Sequence, residues 1–358
     1  MSGDVETKRS VSFFEFWPAW VFYTPVVVQW LGLAIWHRSL TVPFLANPSL
    51  ALSGMVGVPK SELMVQASGK AKDVILPWIK FDVDGRSAAE QAQDAVAQAA
   101  EEGIELPFVC KPDIGCRGAG VKRVTTVEKL ATIIESYPVG APLLCQKLAQ
   151  YEPEVGIFYV KNPTTGVSHI ESMTLKHLPS VTGDGVKTLG QLVADDERAG
   201  QLLHLYQERH QERWDAVPAA DEVVKLVFSA SHCRGAVFQD VRGDVTPELT
   251  QAIDAVMQGL PDFYYGRLDV KFKDMESLKR GETMEVIEIN GASAESIHIW
   301  DKDATFGEAI RALLWQYRTL FKIGVYHRKQ GKKVPSLREF WTRWQHEKRL
   351  TQHYPLTD

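Results

Sequence analysis

Residues 266–290 read GRLDVKFKDMESLKRGETMEVIEIN. Two aliphatic-rich runs, Arg267 to Phe272 and Met284 to Asn290, flank a charged loop, and each has the length of a strand. Successive side chains of a strand point to opposite faces, so Glu288 and Asn290 share one face while Ile287 and Ile289 take the other. Asp269 sits on the neighbouring strand. Oxygen donors converging from two strands suit a magnesium ion bridging nucleotide phosphates. For one such strand alone, a solvated sheet face with ordinary acidic residues is the better reading.

A second stretch bears on the same chemistry. Residues 107–124, PFVCKPDIGCRGAGVKRV, continue a strand over Leu106 to Lys111 into a loop containing Gly115, Gly118 and Gly120. Glycines let backbone N–H groups approach an anion closely, and a lysine supplies a point charge for phosphate. The Walker spacing is absent and glycine loops are common, so this stretch by itself decides little. Occurring together with the carboxylate strands, it points to a nucleotide site.

Composition narrows the classes. The 358 residues suit two or three domains of roughly 100–200 residues each. Hydrophobic residues at 45% and charged residues at 24% describe a folded globular chain and exclude wholesale disorder or a collagen repeat. The net charge of −5 leaves no global positive field for nucleic acid, so no nucleic-acid partner is expected. Cys110, Cys116, Cys145 and Cys233 form no C-x-x-C pair, which fits neither a zinc site nor a disulfide framework. The expected compartment is the reducing cytoplasm.

Trp17 to Trp36 carries no charge over 20 residues. Three readings stand open: a buried core helix, which comes first, an interfacial or substrate-associated helix, and a membrane span. Pro18 and Pro25 weaken the span, and no small-residue cleavage site follows as in a signal peptide. Trp17, Trp20, Trp30 and Trp36 suit an aromatic belt at a lipid surface and would equally suit the interface of a homodimer. Peripheral membrane contact through residues 12–38, at the inner face of the membrane, is the functional form of the second reading.

Local signals place the other elements. Val74 to Leu76 reads as a short strand. Ser87 with Glu90 forms a capping box for a helix that stops at Gly103, and Thr125 with Glu128 opens another ending before Pro138. Gly156 to Val160 and Val167 to Leu175 read as a hairpin, and Thr246 before Pro247 starts a helix. A helix from about Thr305 to Lys322 follows, and Ser336 with Glu339 caps a last amphipathic helix bearing Phe340, Trp341 and Trp344.

These stretches, in this order over roughly residues 105–300, resemble the ATP-grasp superfamily, and in particular cyanophycin synthetase, glutathione-forming ligases and D-alanine:D-alanine ligase. Lys111 and the loop Asp113 to Gly120 are similar to the family's phosphate lysine and covering loop. LLCQKLAQYEPEVGIFYV, residues 143–160, is similar to its hinge strand, which implies Gln146, Lys147 and Leu148 near adenine and Glu154 at ribose. HLPSVTGDGVKTLGQLV, residues 177–193, resembles the GDG stretch of the same branch. Arg267 would neutralise the transferring phosphate, with Asp269, Glu288 and Asn290 as magnesium ligands. Lys80 would be an additional phosphate lysine, or a solvent lysine, and Lys176 would lie near the γ-phosphate or be an ordinary loop charge. Arg234 would bind a carboxylate or the phosphoryl group, and Cys116 has no paired base and is read as structural.

The resemblance implies an α+β fold with two subdomains clasping ATP. The expected division is an N-terminal region over 1–104, an ATP-grasp domain over 105–330 and a C-terminal helix over 331–358. It also implies an ADP-forming ligase that uses ATP and Mg2+ to activate a small-molecule carboxylate as an acylphosphate for an amine. The apolar N-terminal stretch adds the expectation of an amphiphilic substrate. Two alternatives remain: a nucleotide-binding protein without catalysis serving a membrane-associated assembly, and a kinase on the same fold. After EIN the chain reads Gly291 to Ser296 where many ligases have a Pro-Gly turn, which leaves the acceptor open.

Overall fold

The structure, a computed structural model, describes residues 14, 17–115, 120–230, 235–355 and 357. Gly118, Cys116, Cys233 and Arg234 lie outside the described residues. From the N-terminus, α1 (Ala19–His37) leads through short turns to α2 (Lys60–Met64), α3 (Gly69–Val74), β1 (Trp78–Asp82) and α4 (Ala88–Glu101). Then come β2 (Phe108–Pro112), β3 (Lys122–Val124), α5 (Val127–Glu135) and β4 (Pro142–Lys147). β5 (Glu154–Lys161), β6 (Ser168–His177), β7 (Ser180–Thr182), α6 (Leu189–Asp195), α7 (Leu203–Arg209) and β8 (Val223–Lys225) follow. The chain closes with β9 (Val237–Asp240), α8 (Pro247–Gln258), β10 (Tyr265–Phe272), α9 (Met275–Lys279), β11 (Met284–Asn290), α10 (Phe306–Lys329) and α11 (Leu337–Thr351).

Two antiparallel sheets organise the molecule, in agreement with the expected α+β class. The smaller has the order β1-β4-β2-β3 and packs against α4 and α5, whose buried faces are Ala92, Ala95 and Ala99 on one and Leu130, Ile133 and Ile134 on the other. The larger has the order β11-β10-β5-β6-β9 and is backed by α8 through Leu249, Ile253, Val256 and Met257. β7 and β8 pair separately. Because β1 and α4 share the sheet and core of β2 and β4, the unit carrying Lys111 begins within the segment 1–104.

Most helix starts fall where their caps predict: the Ser87 Oγ accepts from the Glu90 N–H, and Thr246, Thr305 and Ser336 cap in the same way. Three readings need correction. Thr126, not Thr125, caps α5, accepting from the Lys129 N–H. Val74 to Leu76 is not a strand: α3 ends at Val74, Ile75 makes one bridge to Val286, and Pro77, without an N–H, delays the strand to Trp78. The helix begun at Thr305 runs on to Lys329, because Ile323, Gly324 and His327 continue its buried face. At Gly324 a Cβ would collide with the Val42 carbonyl, so only glycine lets the turn at Val42–Leu45 pack so closely.

The core-helix reading of α1 is also overturned. Only Phe22 and Val26 of that helix are buried, packed against α10, and its outer side is exposed.

Asn47 ties the N-terminal segment to the large sheet. Its amide donates to the Tyr265 carbonyl at 2.7 Å and its Oδ1 accepts from the Tyr264 and Tyr265 N–H groups at 2.8 and 3.0 Å, in a fully buried setting. Asn47→Ala strands these backbone groups without water. It is expected to cost about 3 kcal/mol or more, measured by denaturant unfolding.

Candidate functional site

A cleft of about 1500 Å³ separates the two sheets. Lys111 enters it from β2 of the small sheet, and Arg267, Asp269, Glu288 and Asn290 enter it from β10 and β11 of the large one. Gly115, Gln146, Lys147, Leu148, Glu154 and Lys176 line it as well. The sequence separation of these groups is large, and the antiparallel order β11-β10-β5-β6 is what gathers the second set on one face. Asp269 lies directly opposite Glu288, and Arg267 opposite Asn290.

Lys111 crosses between the sheets. Its Nζ donates to Gln146 Oε1 at 2.7 Å and to the Ile287 carbonyl of β11 at 2.9 Å. Burial pulls its ammonium from the ordinary lysine value down to about 8, against the opposing attraction of Glu288. Gln146 therefore holds Lys111 with its side-chain oxygen, rather than presenting that oxygen freely to a base.

On the large sheet the charges form a ladder. Lys176 Nζ reaches Glu154 at 2.7 Å and Asp269 at 2.8 Å, and Lys271 Nζ reaches the other Glu154 oxygen at 3.1 Å. Arg267 clasps Asp269 through two nitrogens at 2.9 and 3.2 Å and donates to the Glu295 carbonyl at 3.2 Å. Burial works against the Asp269 charge, but Arg267 and Lys176 outweigh it and hold the carboxyl well below the usual range. Burial also opposes the Lys176 charge, and Asp269 with Glu154 overcomes it and raises that ammonium above the ordinary value. Gly156 lies opposite Asp269 on β5, and a Cβ there would press on the Arg267 side chain and on Ile297. The bare backbone lets the guanidinium lie across the sheet.

Two other expected residues fall elsewhere. Lys80 pairs with the buried Asp113 at 3.4 Å and does not line the cleft, because Asp113 faces Ser61 and the base of the loop. Gly120 is also outside the cleft lining, its carbonyl accepting from the Tyr137 hydroxyl at 2.6 Å.

Sequence reasoning passed over several groups. Lys60 donates to the Gly115 carbonyl at 2.8 Å and lies 3.6 Å from Glu288, so it is a second cation facing Lys111. No local pattern marks it. Lys271 was legible: it stands two residues after Asp269, so strand alternation puts both on one face. Tyr23 of α1 donates to Glu295 Oε1 at 2.7 Å, and Trp17, Phe22 and Trp300 join it in walling one end of the cleft.

Among the described residues no three His, Cys, Asp or Glu side chains cluster as a metal site. The donor set nonetheless fits magnesium. Asp269 is held ionised, Glu288 is partly open to the cleft, and Asn290, whose Nδ2 donates to Asp269 at 3.3 Å, would offer its amide oxygen as the third hard donor on adjoining strands.

No protein-family model matches the sequence, and no curated protein matches it. Among solved structures the chain resembles a bifunctional glutathione synthetase from Pasteurella multocida at 18% identity and TM-score 0.37, over 72% of this chain and 35% of that one. It resembles the VanG D-Ala:D-Ser ligase from Enterococcus faecalis at 10% identity and TM-score 0.40, over 74% of this chain and 63% of that one. It resembles a D-alanine–D-alanine ligase from Bacillus anthracis complexed with ATP at 13% identity and TM-score 0.39, over 77% and 74%. The chain thus spans about a third of the first of these proteins and less than two thirds of the second.

Asp269→Asn leaves the buried Arg267 without its carboxylate partner and Lys176 with Glu154 alone, which Lys271 also engages. It is expected to destabilise the fold by about 3–5 kcal/mol in chemical denaturation. The Lys111 ammonium, followed by heteronuclear NMR, is expected to titrate with a midpoint of about 8. Because that value is depressed, its charge burdens the fold fully below pH 8, and the burden lifts as pH rises from there toward the value of the unfolded chain.

Proposed function

We propose that this chain is an ATP-dependent ligase of the ATP-grasp type, which activates a carboxylate as an acylphosphate and passes it to an amine with release of ADP and phosphate. The observation that carries the reading is the single cleft in which Lys111 of one sheet faces Arg267, Asp269, Glu288 and Asn290 of the other.

In this reading the triphosphate lies between the sheets. Lys111, with Lys60 beside it, binds the phosphates from the small sheet. Gln146 keeps the Lys111 ammonium aimed into the cleft, and the chain at Lys147 and Leu148 borders adenine. Glu154 faces the ribose only by sharing an oxygen now engaged by Lys176 or Lys271. Asp269, Glu288 and Asn290 would hold magnesium, which offsets phosphate charge and orients the transferring group. Arg267 and Lys176 stand beside those ligands and stabilise negative charge on the phosphoryl oxygens as it moves between two anions. No covalent nucleophile from the protein is required.

The aromatic end of the cleft, Trp17, Phe22, Tyr23 and Trp300, favours an acid or amine with an apolar portion. That is the basis for an amphiphilic substrate.

The test is ADP release by the full chain against a panel of carboxylates and amines, with product mass. Amide formation that needs both substrates is expected. Arg267→Ala and Glu288→Gln are each expected to lower kcat by roughly 100- to 1000-fold while nucleotide binding persists. A stable phosphorylated product would instead assign a kinase, and nucleotide binding without turnover across the panel would assign a non-catalytic role.

A further inference from the structure

We propose that the outer face of α1 and a basic row on α10 form one docking surface that lies in the plane of an anionic lipid bilayer. The outer face of α1 presents Trp20, Val27, Val28, Leu31, Ile35 and Trp36, with Trp20 76%, Ile35 80% and Trp36 81% exposed. A surface helix of a water-soluble domain normally turns polar groups outward, and this one is apolar on both sides.

The neighbouring helix supplies the charge. Arg311, Arg318, Lys322 and Lys329 are all exposed and follow one another at spacings of 7, 4 and 7 residues. At about 100° per residue these spacings return to one stripe, opposite the buried face of Ala309, Leu313 and Leu320. Glu308 acts on Arg311, yet among the described residues none of the four is held in a salt bridge.

The two features run side by side. Phe22 packs on Phe306 at the start of α10, Trp30 on Tyr317 and Phe321, and Arg328 donates to the His37 carbonyl at 2.9 Å. α1 and α10 therefore lie parallel along the length of α1, and the cations stand on the flank of α10 about 100° round from the residues that seat α1. The chain as a whole carries −5, so this row is a local asymmetry rather than general basicity.

This pairing selects the occupant. An apolar strip edged by unpaired cations matches hydrocarbon edged by anionic headgroups, and tryptophans at both ends of α1 suit the interfacial zone. It also fixes the orientation. With α10 packed along it, α1 cannot cross the bilayer without carrying four cations into hydrocarbon, so the pair lies flat. The docking stands independently of the reading of the cleft, whose aromatic wall begins in the first turn of α1 and would then open near the lipid surface.

The experiment is co-sedimentation of the full chain with vesicles of phosphatidylcholine alone and with vesicles that also contain phosphatidylglycerol. Binding only to the anionic vesicles, weakened by added salt, is expected. The combined variant Arg311→Gln, Arg318→Gln, Lys322→Gln and Lys329→Gln is expected to lose on the order of 100-fold or more in vesicle affinity with an unchanged circular dichroism spectrum. Val28→Ser with Ile35→Ser is expected to weaken binding as well. Failure to bind either vesicle, or equal binding to both, would overturn the proposal. So would an α1 variant that splits a dimer in sedimentation velocity but leaves vesicle binding unchanged, since a second copy would then be the occupant.

Discussion

The ammonium of Lys111 is buried, and two acceptors make that tolerable: one from its own sheet and one backbone carbonyl from the opposite sheet. A charge removed from water must be met by fixed dipoles, so Gln146 Oε1 and the Ile287 carbonyl are obligatory partners. Because those partners belong to different sheets, satisfying the lysine also sets how far apart the sheets stand. The cleft is a consequence of that spacing. The bridge between Ile75 and Val286, and the bond from the Leu76 N–H to the Val286 carbonyl at 3.2 Å, hold the same edge.

The opposite wall obeys the same rule with more charges. Lys176, Glu154, Lys271, Asp269 and Arg267 compensate one another across three strands, so no single ion is left unsatisfied. Such a network is rigid in geometry and sensitive to the loss of any member. It also presents a face in which cations and carboxylates alternate over a short distance. A polyanion with its counter-ion can exchange partners with that face without meeting bare hydrocarbon. In the proposed reading, that property suits the cleft to phosphate chemistry.

The N-terminal helix answers to a different constraint. Its inner residues Phe22 and Val26 complete the core under α10. Its outer residues gain nothing from the fold. A chain that keeps Trp36 and Ile35 in water bears a solvation cost that another apolar surface can relieve. The row of cations on α10 makes that surface a charged one.

Much of this was readable in the chain itself. The capping signals at Ser87, Thr246, Thr305 and Ser336, and the alternation of Glu288 with Asn290, are local properties that neighbours along the chain enforce. They placed helices and strands, and they put Asp269, Glu288 and Asn290 on strands whose partners only the fold supplies. Tertiary structure decided the rest. The pairing of β10 with β5 and β11 set Asp269 opposite Glu288, and the contact of Lys60 with Gly115 brought in a cation that no local pattern marks. The exposure of α1 was likewise beyond the sequence, because an apolar helix reads the same whether protein, lipid or water covers its outer side. Local preference depends on a few adjacent residues, whereas burial and charge pairing depend on groups brought together only when the sheets close.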